Sequence, residues 1–141
     1  MLFRSIYRFD LDEKNVAANC RAIFEAQMLA MRLHSQWMQV APEKIFVTGG
    51  ASSNPQLLQI LADVMNCRVL RIEVSKSAAL GAALSAAHGW LVAANKNPKW
   101  EKLVAGFTAP VPGSEIRPDK KAAKLYDKLL EKYAVCEYEA Q

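Results

Sequence analysis

The residues with the greatest capacity for chemistry stand together at Thr48-Gly49-Gly50-Ala51-Ser52-Ser53-Asn54. Ile45, Phe46, Val47 and Thr48 lead into them, apolar or β-branched, the composition of a strand buried on both faces. Paired glycines at the carboxyl end of such a strand admit positive φ and let backbone approach a ligand lying above the sheet. Asn54-Pro55 has the residue types of a helix start, with Asn54 as N-cap and Pro55 at the first helical position. A helix N-terminus there would offer free N–H groups and a positive dipole end to an anion. Strand, glycine turn and capped helix together describe a nucleotide-contacting corner of an α/β domain.

Other chemistry-bearing residues point elsewhere. His34 and His88 have no Cys or carboxylate at ligand spacing, so both are expected at helix ends or on the surface. Cys20, Cys67 and Cys136 are odd in number, far apart and without a C-x-x-C pair, which favours reduced thiols in a cytoplasmic setting over a disulfide frame or zinc site. Asp63 is expected at a solvent-side or structural position on its helix. Met28, Met31 and Met38 belong to a core or an interface.

The elements that must position the glycine turn follow from periodicity. Ile6, Tyr7 and Phe9 suit a short strand. From Asn15 to Gln39, Val16, Cys20, Ile23, Phe24, Ala30, Met31, Leu33 and Trp37 recur at spacings of three and four, predicting a helix of roughly 37 Å with Arg21 and Glu25 paired along one side. The helix at Asn54 buries Leu57, Leu58, Leu61, Ala62 and Met65. Val69, Ile72 and Val74 mark a second strand, and Ser75-Lys76-Ser77 an N-cap region. Ala78 to Gly89 is an Ala-rich helix whose Gly81 costs on the order of 1 kcal/mol, so a close neighbour is expected to compensate. Residues 95–118 hold four of the six prolines and are expected to be an irregular surface segment, pinned by Trp100, Leu103, Val104 and Phe107. A final helix, Asp119 to Ala134, should turn Ala122, Leu125, Leu129 and Leu130 inward.

Composition narrows the class. A chain of 141 residues, 52% hydrophobic, suits one domain, and no apolar run reaches membrane-span length. The start lacks a signal-peptide pattern. The formal charge of +4 is mild, and Lys120, Lys121, Lys124, Lys128 and Lys132 alternate with Asp127 and Glu131 as the wet face of a helix. Neither a nucleic-acid nor a membrane partner is expected. Two strands are too few for a free-standing doubly wound sheet, so the fold is expected to be part of something larger.

Three motifs, in order, carry a resemblance. Arg21-Ala22-Ile23-Phe24-Glu25-Ala26-Gln27, then Thr48-Gly49-Gly50-Ala51-Ser52-Ser53-Asn54 with Leu58-Gln59-Ile60-Leu61-Ala62-Asp63-Val64, then Ala79-Leu80-Gly81-Ala82-Ala83 together resemble the C-terminal domain of the FGGY carbohydrate kinases. Ala26 replaces the glycine usual in the first. Within the family the likeness is greatest to eukaryotic-type xylulose kinases. The resemblance implies the C-terminal part of an actin-like (ribonuclease H-like) ATPase domain, helix-rich with a small parallel strand pair. It implies an ATP-dependent transferase acting on a ketose, D-xylulose, with Mg2+ held by residues of an N-terminal sugar and phosphate domain.

The resemblance assigns Gly49, Gly50, Ala51 and Asn54 to the adenosine side of the ATP cleft. The family's Asp-x-Gly-Thr-type phosphate turn has no match here, since Asp10 is followed by Leu11-Asp12. None of the five aspartates stands in the family's catalytic Gly-x-His-Asp-like context. No catalytic residue is therefore expected in this chain, which by itself should be inactive: a C-terminal fragment or truncated product, needing a complementing N-terminal domain. A module of another class is the alternative, one that keeps the actin-like fold for interaction or homodimerisation and has lost catalysis.

Overall fold

The computed structural model describes residues 11–74 and 76–140. The strand suggested at Ile6, Tyr7 and Phe9, and Ser75 of the expected cap region, lie outside them. The elements run α1 (Val16–Ser35), β1 (Lys44–Val47), α2 (Pro55–Met65), β2 (Arg68–Arg71), α3 (Ser77–Ala93), α4 (Trp100–Val104) and α5 (Lys120–Glu139), with short 3-10 turns at Gln36–Met38 and Gly50–Ser53.

Local chemistry sets most boundaries. Asn15 caps α1 by accepting from the Ala18 N–H at 3.1 Å, and Asn54 caps α2. Asp119 caps α5 through the N–H groups of Lys121 and Ala122 at 2.7 and 2.9 Å, which hold its carboxyl below the usual carboxylate range. Asn66, at φ +48°, ends α2 in the left-handed conformation that lets the Cys67 N–H reach the Ala62 carbonyl. The first helix is shorter than its sequence pattern, because the chain tightens to 3-10 at Gln36 and reverses at Gln39, φ +52°. The last runs further, to Glu139.

α2 is the centre of the fold. One side packs Ile60 and Val64 against Leu29 of α1 and Tyr126 and Leu130 of α5. The other packs Leu58, Leu61 and Ala62 against Val69 of β2, with Ile45 and Val47 of β1 half-buried there. The buried set is thus broader than a single stripe: Ile60, Val64 and Asp63 join it, while Leu57 and Met65 are only half-buried. On α5 the inward residues are Ala123, Tyr126 and Leu130; Leu125, expected inside, is 56% exposed because α5 meets the core one position further round.

β1 and β2 pair in parallel, Ile45 beside Val69 and Val47 beside Arg71. The expectation of a strand buried on both faces fails for β1, in which exposed and half-buried residues alternate. Helices cover one face of the sheet only, and Phe46 on the other is 42% exposed. The 95–118 segment is more ordered than expected. It holds α4, and its residues 110–116 run antiparallel to β2, where Val69 and Ile116 exchange hydrogen bonds of 2.9 and 2.8 Å. Trp100 stacks on His88 at 4.1 Å, joining α4 to α3.

α3 departs furthest from expectation. None of its residues is buried, and a Cβ built on Gly81 meets nothing within 4 Å among the described residues. The close neighbour inferred from its small side chains is not among them.

Candidate functional site

The glycine turn sits where the parallel pair ends. Gly49 has φ +91° and ψ −176°, a conformation that essentially only glycine adopts without strain. It lets the chain leave β1 abruptly and enter the 3-10 turn, in which Ser52 N–H bonds to Gly49 O at 3.1 Å and Asn54 N–H to Ala51 O at 3.2 Å. Two hydroxyls fix the loop from within: Ser52 Oγ donates to Gly49 O at 2.6 Å and Ser53 Oγ to Gly50 O at 2.8 Å. Buried Ser52 was not singled out by sequence reasoning, although a serine three residues after a turn glycine is a recognisable side-chain-to-backbone lock.

Gly49, Gly50, Ala51 and Asn54 are all exposed. A Cβ placed on Gly49 or Gly50 meets nothing within 4 Å among the described residues, so the space above the turn is open. Among the described residues the N–H groups of Gly49, Gly50 and Ala51 donate to no acceptor. The α2 N-terminus is different, and the expected free donors there are already engaged. Pro55 has no N–H, the Asn54 carboxamide oxygen accepts from Gln56 and Leu57 at 3.0 and 3.4 Å, and Leu58 N–H bonds to Asn54 O at 3.2 Å. Asn54 therefore closes the helix end, and the open donors belong to the turn before it.

Of the four residues, only Asn54 also lines the cleft of about 450 Å3 between α1 and α2, where Cys20, Arg21 and Phe24 face Gln56, Leu57 and Asp63. Asp63 is buried and structural, not solvent-facing. Its Oδ1 accepts from Gln59 Nε2 at 2.8 Å and from the Asp119 N–H at 2.7 Å, fixing the start of α5. Arg21 and Glu25 pair at 2.7 Å as their spacing predicts. The sequence did not show that buried Tyr126 joins them, donating to Glu25 Oε1 at 2.7 Å across a separation of 101 residues. Burial first, then the Glu25 hydrogen bond, pushes the Tyr126 phenol up to about 12. Arg71, the register partner of Val47, has a buried Nε with no hydrogen-bond partner among the described residues.

His34 sits on α1, 2.8 Å from Glu137 of α5, and no group of three His, Cys, Asp or Glu capable of holding a metal occurs among the described residues. The three cysteines are free thiols, with Cys67 buried and its pKa raised by that burial. No helix among the described residues is long and apolar enough to cross a membrane. The arrangement as a whole offers a backbone turn with open donors beside a cleft of mixed polar and apolar lining.

Comparison with known proteins identifies the family. The FGGY family of carbohydrate kinases, C-terminal domain, matches residues 4–90. The xylulose kinase of Rattus norvegicus is 35% identical over 139 residues, covering 93% of this chain and 25% of that protein. Xylulose kinase 2 of Arabidopsis thaliana is 39% identical over 84 residues, covering 58% of this chain and 15% of that protein. The crystal structure of xylulose kinase from Rhodospirillum rubrum superposes with a TM-score of 0.68 at 25% identity, over 93% of this chain and 26% of that one. The chain thus spans at most about a quarter of the length of these relatives. With the actin-like fold shared and the glycine turn inside the matched segment, the chain belongs to the FGGY family of carbohydrate kinases, within their C-terminal domain.

Proposed function

We propose that this chain supplies the adenosine side of the ATP site in a cytoplasmic ATP-dependent kinase that converts D-xylulose to xylulose 5-phosphate. The observation that carries the reading is the Gly49–Ala51 turn, with its positive φ, open space and unengaged N–H groups at the carboxyl end of β1. Hydrogen-bond donors of this kind, fixed before the ligand arrives, suit an anionic or carbonyl-bearing group approaching the backbone. Asn54 links the turn to the cleft carrying Phe24 and Leu57, and a cleft of about 450 Å3 is in the range of small-ligand sites. The names of the rat and Rhodospirillum relatives support xylulose as the sugar.

In that reaction a sugar hydroxyl attacks the γ-phosphorus of ATP, the bond to ADP breaks, and the hydroxyl proton passes to a base. This chain orients the nucleotide, and Gly49–Ala51 exclude side-chain bulk from its path. Mg2+ would neutralise the phosphates and a base would take the hydroxyl proton. Those groups are assigned to a complementing N-terminal domain.

The test is calorimetric titration of the chain with ATP and ADP, beside Gly50→Trp. Saturable binding in the millimolar range or tighter, lost in the variant, supports the reading. No heat from the wild-type chain up to the nucleotide's solubility limit, or equal binding by the variant, overturns it.

A further inference from the structure

One hydrogen-bond network runs from the core of the molecule out to the wall of a cleft. Tyr126 of α5, 3% exposed, donates its hydroxyl proton to Glu25 Oε1 at 2.7 Å. The same oxygen accepts from Arg21 Nε at 2.7 Å, and Arg21 Nη2 closes a ring onto the Tyr126 oxygen at 3.5 Å. Exposure rises around that ring, from the buried phenol through Glu25, whose side chain is 23% exposed, to Arg21 at 63%. A tie between α1 and α5 needs only the inner two groups. Glu25 and Tyr126 make it across 101 residues of sequence, and an exposed i,i+4 pair beside them adds little. What the ring does fix is Arg21 itself. Two of its three guanidinium nitrogens are held, which leaves Nη1 without an acceptor among the described residues and the flat faces of the group unused by any hydrogen bond.

Arg21 lines the cleft of about 450 Å3 between α1 and α2. Phe24, three residues on, shares that face of α1, and Gln56 and Leu57 line the α2 side. Charge decides what fits there. Glu25 balances Arg21, and the other charged-type residue of the lining, Asp63, is acidic, so the cleft has no surplus of positive charge to hold a phosphate. Its lining is instead aromatic, aliphatic and carboxamide, the surroundings of a flat, uncharged ring with polar edges. An arginine pinned along one edge presents its plane, and guanidinium planes stack on aromatic rings and on bases. We infer that Arg21 is a binding residue for the purine base of the nucleotide, stacking its guanidinium plane on the ring, and that Glu25 and Tyr126 are positioning residues that hold that plane at the cleft wall. The inference rests on the ATP reading for the identity of the ligand and deepens it: the glycine turn supplies backbone donors, and the α1 wall supplies a stacking face.

The test titrates the chain with adenosine, AMP, ADP and ATP and follows it by NMR, in which the Arg21 Nε–H, bonded to Glu25, has a signal of its own. The expected result is a ring-current displacement of that signal by adenosine as large as the one by ATP. Arg21→Ala and Arg21→Lys should weaken adenosine and ATP by the same factor, roughly fivefold, lysine failing although it keeps the charge. Arg21 is largely exposed, so these variants keep the fold. Tyr126→Phe should weaken both ligands about threefold and broaden the Nε–H signal, since it loosens Glu25 and with it the guanidinium. A loss in Arg21→Ala that grows from adenosine to ATP would put the guanidinium on phosphate and overturn the inference. Equal affinities in the wild type and Arg21→Ala would overturn it as well and leave the adenosine reading standing. A wild-type chain that binds none of the four ligands would sink both. Unchanged affinity in Tyr126→Phe, with the Nε–H signal still sharp, would overturn the positioning role.

Discussion

α2 and α3 each follow a strand of the same parallel pair, and both are strongly apolar in sequence, yet their surroundings are opposite. Six of the eleven residues of α2 are buried, between the sheet on one side and α1 and α5 on the other. None of the seventeen residues of α3 is buried. The difference teaches that this chain contains one finished layer and one unfinished one. The finished layer holds the glycine turn and its lock of serine hydroxyls; the unfinished one presents apolar surface.

Substitutions can break that contrast or sharpen it. The largest expected effect comes from truncating α2. Leu58→Ala should cost about 2–5 kcal/mol by urea unfolding, whereas Leu84→Ala in α3 should fall within roughly 0.5 kcal/mol in the isolated chain. Equal costs would show that α3 is enclosed after all. Gly49→Ala should cost about 1–3 kcal/mol, because alanine resists the φ of +91° although space for its methyl is open. Asp63→Ala removes a charged acceptor for Gln59 and for the Asp119 N–H, two part-buried hydrogen bonds, at a cost of about 1–3 kcal/mol.

The smallest effect is one of pH. With its pKa at about 12, the folded Tyr126 phenol holds its proton more tightly than an unfolded chain, whose phenol titrates near ~10. Its contribution to stability is therefore complete below that lower value and is lost as pH rises through about 12. Tyr126→Phe should flatten that decline relative to the wild type.

The glycine turn was legible because its signals are local. Gly49, Asn54 and Pro55 each specify a backbone geometry through their own side chains, and the strand pair, the caps and the Arg21–Glu25 pair follow from short spacings. What could not be read required distant partners. Tyr126 meets Glu25, and Asp63 meets the Asp119 N–H, through folding that brings α5 back onto α1 and α2. Asn54 and Pro55 signalled a helix N-terminus correctly, but the same two residues consume its donors, so the free amides had to be found in the turn. The small side chains around Gly81 predicted a close neighbour that α3 does not have among the described residues, since apolar composition alone does not say what packs on a helix. Ile116 and Val111 joined β2 unforeseen, since a proline-rich stretch carries almost no strand signal.

Residue-resolved hydrogen exchange of the isolated chain, with and without ATP, tests the account most directly. It expects α2 and β2 to be protected and α3 to exchange fast, with ATP slowing the amides of Gly49 to Ser53 and leaving α3 unchanged. Protection by ATP confined to α3, or none at the glycine turn at saturating ATP, would contradict it.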